Sequence, residues 1–285
     1  MQKTNPVFQG CSMSYDRARL VLFGAPFDTA CGPRIGGSFA PAAMRHASHK
    51  MESYSFYQKK DLFDCPVCDL GDMDASVVRG TELLEAVETE TRRLAGDGKI
   101  PLLLGSSPMT SLGSVRALYQ KYPRLHVVQF GAHARLKDQY DGKELHSLCI
   151  MRRCYELLGE NRIHQFCIRS GSREEVQFAS AHTDIHPLGF EWLQPTMDQT
   201  RLRQNPIYFT LNLDCLDPSV FSASEQPILN GVSFLQLLEA IRIVCRGWIV
   251  GADVTGLLPA SDSDGTSARV ASQVIRELIL SMLRT

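Results

Sequence analysis

An α/β fold, with three α/β/α layers around a mostly parallel central sheet, is predicted by three observations. Short continuous apolar runs alternate with longer amphipathic stretches along the chain. The runs are apolar at successive positions, as strands covered on both faces require. No Gly/Ser-rich or Pro-rich linker and no internal repeat divides the alternation, so residues 1–285 read as one domain.

The strand candidates are Arg19–Phe23, Pro101–Leu104, Leu125–Phe130, Ile207–Leu211 and Trp248–Gly251. Helices fall between them. From Thr81 to Leu94 the residues Leu83, Leu84, Val87 and Leu94 share one stripe. Glu82, Glu85, Glu88 and Glu90 lead that stretch and Arg92 and Arg93 close it, which suits the helix dipole, and Gly96 and Gly98 end it. Phe234–Val244 and Ala268–Leu283 show the same spacing with no Pro or Gly inside.

Composition excludes several function classes. Of the 285 residues 44% are hydrophobic, ample for a large core without disulfide staples. The formal net charge of -1, with no basic block or acidic tail, gives nucleic acid or an anionic membrane nothing to hold. No apolar run approaches the ~20 residues that cross a bilayer. The nine cysteines have no metal-type pairing beyond a weak CxxC at Cys65 and Cys68, which reads as a reducing cytoplasm.

In parallel sheets, ligands sit beyond the carboxyl ends of the strands. Four segments are expected there: Gly105–Pro108, Gly131–Arg135, Asn212–Asp214 and Asp253–Gly256. They resemble, in order and spacing, the four site-forming motifs of the agmatinase/arginase (ureohydrolase) family, and of bacterial agmatinases most of all. Further stretches carry the resemblance across nearly the whole chain. Gly24-Ala25-Pro26-Phe27-Asp28 resembles the family's G-x-P-F-D, and Phe39–Arg45 its (F/G)-P-x-A-[IM]-R helix. Ile168–Glu175 is similar to G-I-R-S-G-x-x-E-E, and Asp214–Pro218 to D-x-x-D-P.

The resemblance implies hydrolysis of a guanidinium to urea and an amine. Two manganese ions would lower the pKa of a bridging water so that hydroxide is available near neutral pH. In the family the ligands come from G-G-[DE]-H, D-A-H-x-D and D-x-D, and this sequence departs from each. Pro108 stands for the first His; Gly131 and Arg135 replace two Asp, leaving His133; Asn212 replaces another, leaving Asp214. Gly256 aligns with the acid that would face the guanidinium, and Ala223–Pro227 replaces a glycine-rich loop. His146 matches the family's proton-shuttle histidine, vestigial here without an activated water.

Glycine offers no side-chain ligand, and a neutral amide is a poor partner for a hard dication. A guanidinium cannot ligate at all. One positive charge about 4 Å from a dication repels it by ~8 kcal/mol at an effective dielectric near 20. No cofactor is therefore expected, and Arg135 is expected to pair with Asp214 in place of the cations. His133 and Asp214, with Asn212 and His146, remain an alternative single-metal set. Cys215 has no base paired with it in any motif, while Asp28, Arg169, Asp217 and Asp253 read as structural.

The expected function is a non-catalytic ureohydrolase-fold protein, binding a small guanidino or amine ligand or serving as a regulatory or partner subunit. It would assemble as a trimer or hexamer, or with an active paralogue. The alternative is an agmatinase-type hydrolase of a C–N bond in a linear amidine (agmatine to putrescine and urea) with weak or mono-metal activity. Restoring His at 108, Asp at 131, 135 and 212 and Glu at 256 is expected to restore metal binding.

Overall fold

The computed structural model describes residues 6–26, 36–74, 81–199 and 202–283. In chain order the elements are β1 (Leu20–Ala25), α1 (Ala40–Ser48), β2 (Tyr54–Ser55), β3 (Lys60–Asp61), β4 (Val67–Asp72), α2 (Thr81–Gly96) and β5 (Ile100–Gly105). There follow α3 (Met109–Lys121), β6 (His126–Phe130), α4 (Ile150–Leu158), β7 (Ile163–Ile168), α5 (Arg173–His182), β8 (Asp184–Pro187) and α6 (Leu193–Gln199). The chain closes with β9 (Pro206–Asn212), α7 (Phe234–Val244), β10 (Trp248–Thr255) and α8 (Thr266–Met282).

Each apolar run becomes a strand of one parallel sheet, ordered β4-β1-β5-β10-β9-β6-β7-β8, while β2 and β3 pair separately as a short antiparallel ribbon. Successive side chains along a strand enter opposite cores. Leu20, Leu22, Ile207, Phe209 and Leu211 pack with Met44 of α1, Met197 of α6, Ile241 of α7 and Leu278 of α8. On the other face Val21, Phe23, Val127 and Tyr208 meet helices α2 to α5, through residues such as Val87, Leu112, Ile150 and Ala179. The result is the three-layer α/β/α arrangement that the alternation predicts.

Local chemistry agrees with these elements. Ser172 and Glu175 form a capping box at the start of α5, and Ser233 and Gln236 another at α7. The edge strand β4 is tied to α1 by Arg45, which is fully buried and bonds Asp69 through Nε at 2.7 Å and through a terminal nitrogen at 2.9 Å. The described cysteines are all free and buried.

The sheet order brings β5, β10, β9 and β6 side by side, so the four motif-bearing segments leave adjacent strands at one edge. One expectation changes here. Asp253 is not at a strand end but inside β10, fully buried, accepting from Tyr208 Oη at 2.5 Å and Thr210 Oγ1 at 2.9 Å. Only Gly256 of that segment emerges.

Burial pushes the Asp253 carboxyl from its ordinary 3.8 up to about 6, against hydrogen bonds from Tyr208, Ser111 and Thr210 that favour the anion. The folded chain therefore holds this proton more tightly than the unfolded chain. Its stabilising effect is complete below pH 3.8 and is lost as pH rises through 6, a span of about 3 kcal/mol. Urea unfolding of wild type and Asp253→Asn across that window checks this. The variant is expected to lack that part of the slope, and superimposable profiles would exclude the assignment.

Candidate active site

The loop after β6 is set by buried amides rather than by secondary structure. Gln165 Nε2 donates to Gln129 Oε1 and to the Ala134 carbonyl, both at 2.7 Å, and Gln129 Nε2 donates to the His133 carbonyl at 3.1 Å. This support holds the turn so that Arg135 takes a left-handed backbone (φ 57) and its side chain runs back under the strand ends. After β9, Arg169 gathers the carbonyls of Asp214, Leu216 and Ile228 at 2.7, 3.3 and 3.0 Å. It thereby fixes the Asp214 turn against the loop that carries Gln226.

These segments enclose one small cavity. Pro108, His133, Arg135 and His146 line it, with Asn212, Asp214 and Gly256 opposite. Gly131 lies just behind; a Cβ there would meet Asp214 Oδ1 at 3.3 Å. The seven positions Pro108, Gly131, His133, Arg135, Asn212, Asp214 and Gly256, together with His146, are thus drawn to one place. The free space left among them is only ≈ 40 Å³, room for about one water.

Asp214 is the centre of the arrangement. Its Oδ1 accepts from the Ala132 N–H at 2.8 Å, and its Oδ2 accepts from an Arg135 terminal nitrogen at 3.2 Å. The other terminal nitrogen of Arg135 donates to the Ser147 carbonyl at 3.1 Å, while Nε is buried and makes no hydrogen bond. The pairing expected of Arg135 and Asp214 is present, with both side chains almost wholly buried.

Burial shifts both cavity histidines, His133 and His146, toward the neutral form. Burial pushes His133 down from its usual range, with Arg135 adding to that effect and Asp214 opposing it. Its Nε2 lies 3.4 Å from the Gln226 carbonyl and 3.9 Å from Asp214 Oδ2. Burial also lowers His146, whose Nδ1 accepts from the Leu148 N–H at 3.1 Å and whose ring packs on Tyr140 with centroids 4.4 Å apart. Asn212 Oδ1 turns back to cap the Asp214 N–H at 3.0 Å.

The geometry agrees with sequence comparison. Residues 18–281 match the model described as "Arginase family". An agmatinase of Bacillus subtilis is 30% identical over 281 residues, 98% of this chain and 97% of its own length. An agmatinase of Halalkalibacterium halodurans is 31% identical over 277 residues, 96% of each chain. The chain belongs to the arginase family. A Clostridium difficile protein solved as a candidate agmatinase superimposes with a TM-score of 0.90 at 32% identity, covering 94% of this chain and 98% of that one.

The arginase-family cofactor can be tested against the donors present. Two hard dications need several carboxylate or imidazole atoms turned to a common point. Among the described residues no three His, Cys, Asp or Glu side chains converge in that way. Each Asp214 oxygen already accepts one hydrogen bond, the neutral Asn212 oxygen faces a backbone N–H, and Arg135 places a guanidinium where oxygen would be needed. This donor set does not fit a binuclear centre. In the single-metal set His146 Nδ1 takes a backbone hydrogen and Asn212 offers a neutral amide oxygen, so His133 and Asp214 are its principal donors. Nucleophilic catalysis by Cys215 is also disfavoured, because burial raises its thiol far above neutrality.

Other sequence readings fall into place. Asp217 accepts from Ser219 and Gly231 within its own loop and Arg169 binds backbone, so both act structurally. Phe27 and Asp28 lie outside the described residues. Ser147 and Tyr140, which no motif singled out, line the cavity beside His146. The buried pair Gln129 and Gln165 belongs to no motif; two glutamines inside apolar strands are the signal that reveals them.

Gly256 brings a correction to the restoration scheme. Its φ is +101, and a Cβ there would lie 2.3 Å from Asn212 Oδ1. Glutamate at 256 therefore cannot be added to this backbone, and restoration has to leave the glycine in place. Gly256→Ala is expected to destabilise the fold by about 2 kcal/mol or more. In chemical denaturation, adding Asn212→Ala should recover only the steric part of that loss; full tolerance of Gly256→Ala alone would contradict this account.

Proposed function

We propose that this arginase-family chain is a non-catalytic relative of the agmatinases that has lost the binuclear manganese centre and guanidino hydrolysis. It acts as a binding, regulatory or partner subunit. The observation that carries the reading is the Arg135 guanidinium on Asp214 Oδ2, inside the cavity where cations would be held. A buried cation there repels dications, and the four positions 108, 131, 135 and 212 supply no anionic oxygen in compensation. His146 remains beside the cavity without an activated water to serve. The reading takes residues 1–285 as one domain, which the single main sheet supports. It places the chain in the cytoplasm, as a trimer or hexamer of itself or joined to a motif-complete paralogue. No helix among the described residues is long and apolar enough to cross a membrane.

A second reading rests on a different observation. The relatives that span nearly the whole chain are named agmatinases, which favours hydrolysis of a linear amidine C–N bond with weak or mono-metal activity. Two measurements separate the readings. Protein purified with manganese present is expected to retain no stoichiometric metal and to release no urea from agmatine or arginine. About two metal equivalents, or clear turnover, would decide for the hydrolase. Light scattering of the purified chain, and co-purification with an active paralogue, distinguish self-assembly from a mixed oligomer.

The combined change Pro108→His, Gly131→Asp, Arg135→Asp and Asn212→Asp, with Gly256 kept, is expected to bind manganese tightly. Metal analysis with and without chelator checks this. A folded quadruple variant that takes up no metal would mean that the strand ends have shifted beyond what side chains can repair.

A further inference from the structure

Arg135 does more than cancel a charge. Its two terminal nitrogens reach two separate acceptors, Asp214 Oδ2 at 3.2 Å and the Ser147 carbonyl at 3.1 Å, one on the turn after β9 and one on the segment before α4. Two acceptors at the two ends of one planar cation are the arrangement that distinguishes a guanidinium from an ammonium. The surrounding field is anionic: besides Asp214, the carboxylates of Glu225 and Glu175 act favourably on this cation. The side chain is about 7% exposed, and the cavity it leaves is ≈ 40 Å³. The arrangement is held at a cost, since Nε lacks any hydrogen-bond partner and the backbone is left-handed at a long side chain.

We infer that the cavity is a guanidinium-binding site filled from within: Arg135 occupies it as a tethered ligand and closes it to free guanidino compounds, and a chain lacking that side chain binds guanidinium there in preference to other cations. The inference rests on the reading that no metal pair is held at these strand ends. It gives Arg135 the place of the ligand, and predicts that the wild-type chain takes no free guanidinium from solution. Non-covalent replacement of the tethered group by a free one restores the contacts to Asp214 and Ser147, and its binding stabilises the folded chain by mass action.

The test is chemical rescue of Arg135→Ala. Thermal unfolding of the variant and of wild type is followed in millimolar guanidinium chloride, with ammonium and sodium chloride at equal ionic strength as controls. The variant is expected to melt lower than wild type and to regain at least half of the lost Tm with guanidinium in a saturable manner. It should gain little from the controls, and wild type nothing. Equal rescue by ammonium would overturn the inference, because a charge alone would then suffice. Saturable stabilisation of wild type would overturn it as well, because the site would then be open.

Should Arg135→Ala not fold, Arg135→Gln keeps much of the volume without the cation. It is expected to be less stable than wild type, and Arg135→Gln with Asp214→Asn more stable than Arg135→Gln alone. An Arg135→Gln variant as stable as wild type would sink the proposal. Metal content of the wild-type protein, measured in the same preparations, keeps the two claims apart. Two bound equivalents overturn the non-catalytic reading itself, whereas a metal-free chain without selective rescue removes this inference alone.

Discussion

Asp214 carries the constraint on which the strand-end architecture depends. The carboxylate sits at the carboxyl end of β9, is buried, and reaches the loop after β6 through both of its oxygens. An ionised carboxylate in such a place requires a positive partner or several N–H donors, because desolvation penalises it heavily. Here it has one backbone N–H and one guanidinium. The loop from Gly131 to Arg135 is therefore folded around this group, and the other residues at the strand ends adjust to it.

Those adjustments form a mutually consistent set. Without a side chain, Gly131 leaves Asp214 Oδ1 free to accept the Ala132 N–H. An aspartate there would bring a second anion against the first. Asn212, neutral, can turn its oxygen to the Asp214 N–H, where a carboxylate would place more negative charge beside Asp214. The price of a buried ion pair is seldom repaid in stability, so Arg135 is better understood as fixing which groups meet than as strengthening the fold. Its orphaned Nε is direct evidence that the pairing is incomplete.

Much of this was legible in the amino-acid sequence, for identifiable reasons. The central strands β5, β6, β9 and β10 are buried on both faces, so their apolar runs stand out. The strands β4 (VCDLGD) and β8 (DIHP) lie at the sheet margins and carry charged or polar residues, which hides them from any apolar pattern. Helix α3 is also hidden, because Thr110, Ser111, Gly113 and Ser114 are buried beside Met109, Leu112, Val115 and Leu118 and blur its apolar stripe. At the candidate site, the positions of Pro108, Gly131, Arg135, Asn212 and Gly256 could be read by motif. The direction of the Asn212 amide, the glutamine support under His133 and the backbone twist at Gly256 could not, because each is set by neighbours distant in the chain.

The interlock between Asn212 and Gly256 bears on how such a chain can change over time. The Asn212 oxygen fills the space a 256 side chain would enter, and the backbone at 256 holds a conformation that only glycine accepts readily. An acid placed at 256 by itself meets both obstacles at once, and changing 212 alone leaves the second untouched. The pair works as a ratchet: an acid at 256 enters this fold only together with changes at 212 and in the local backbone.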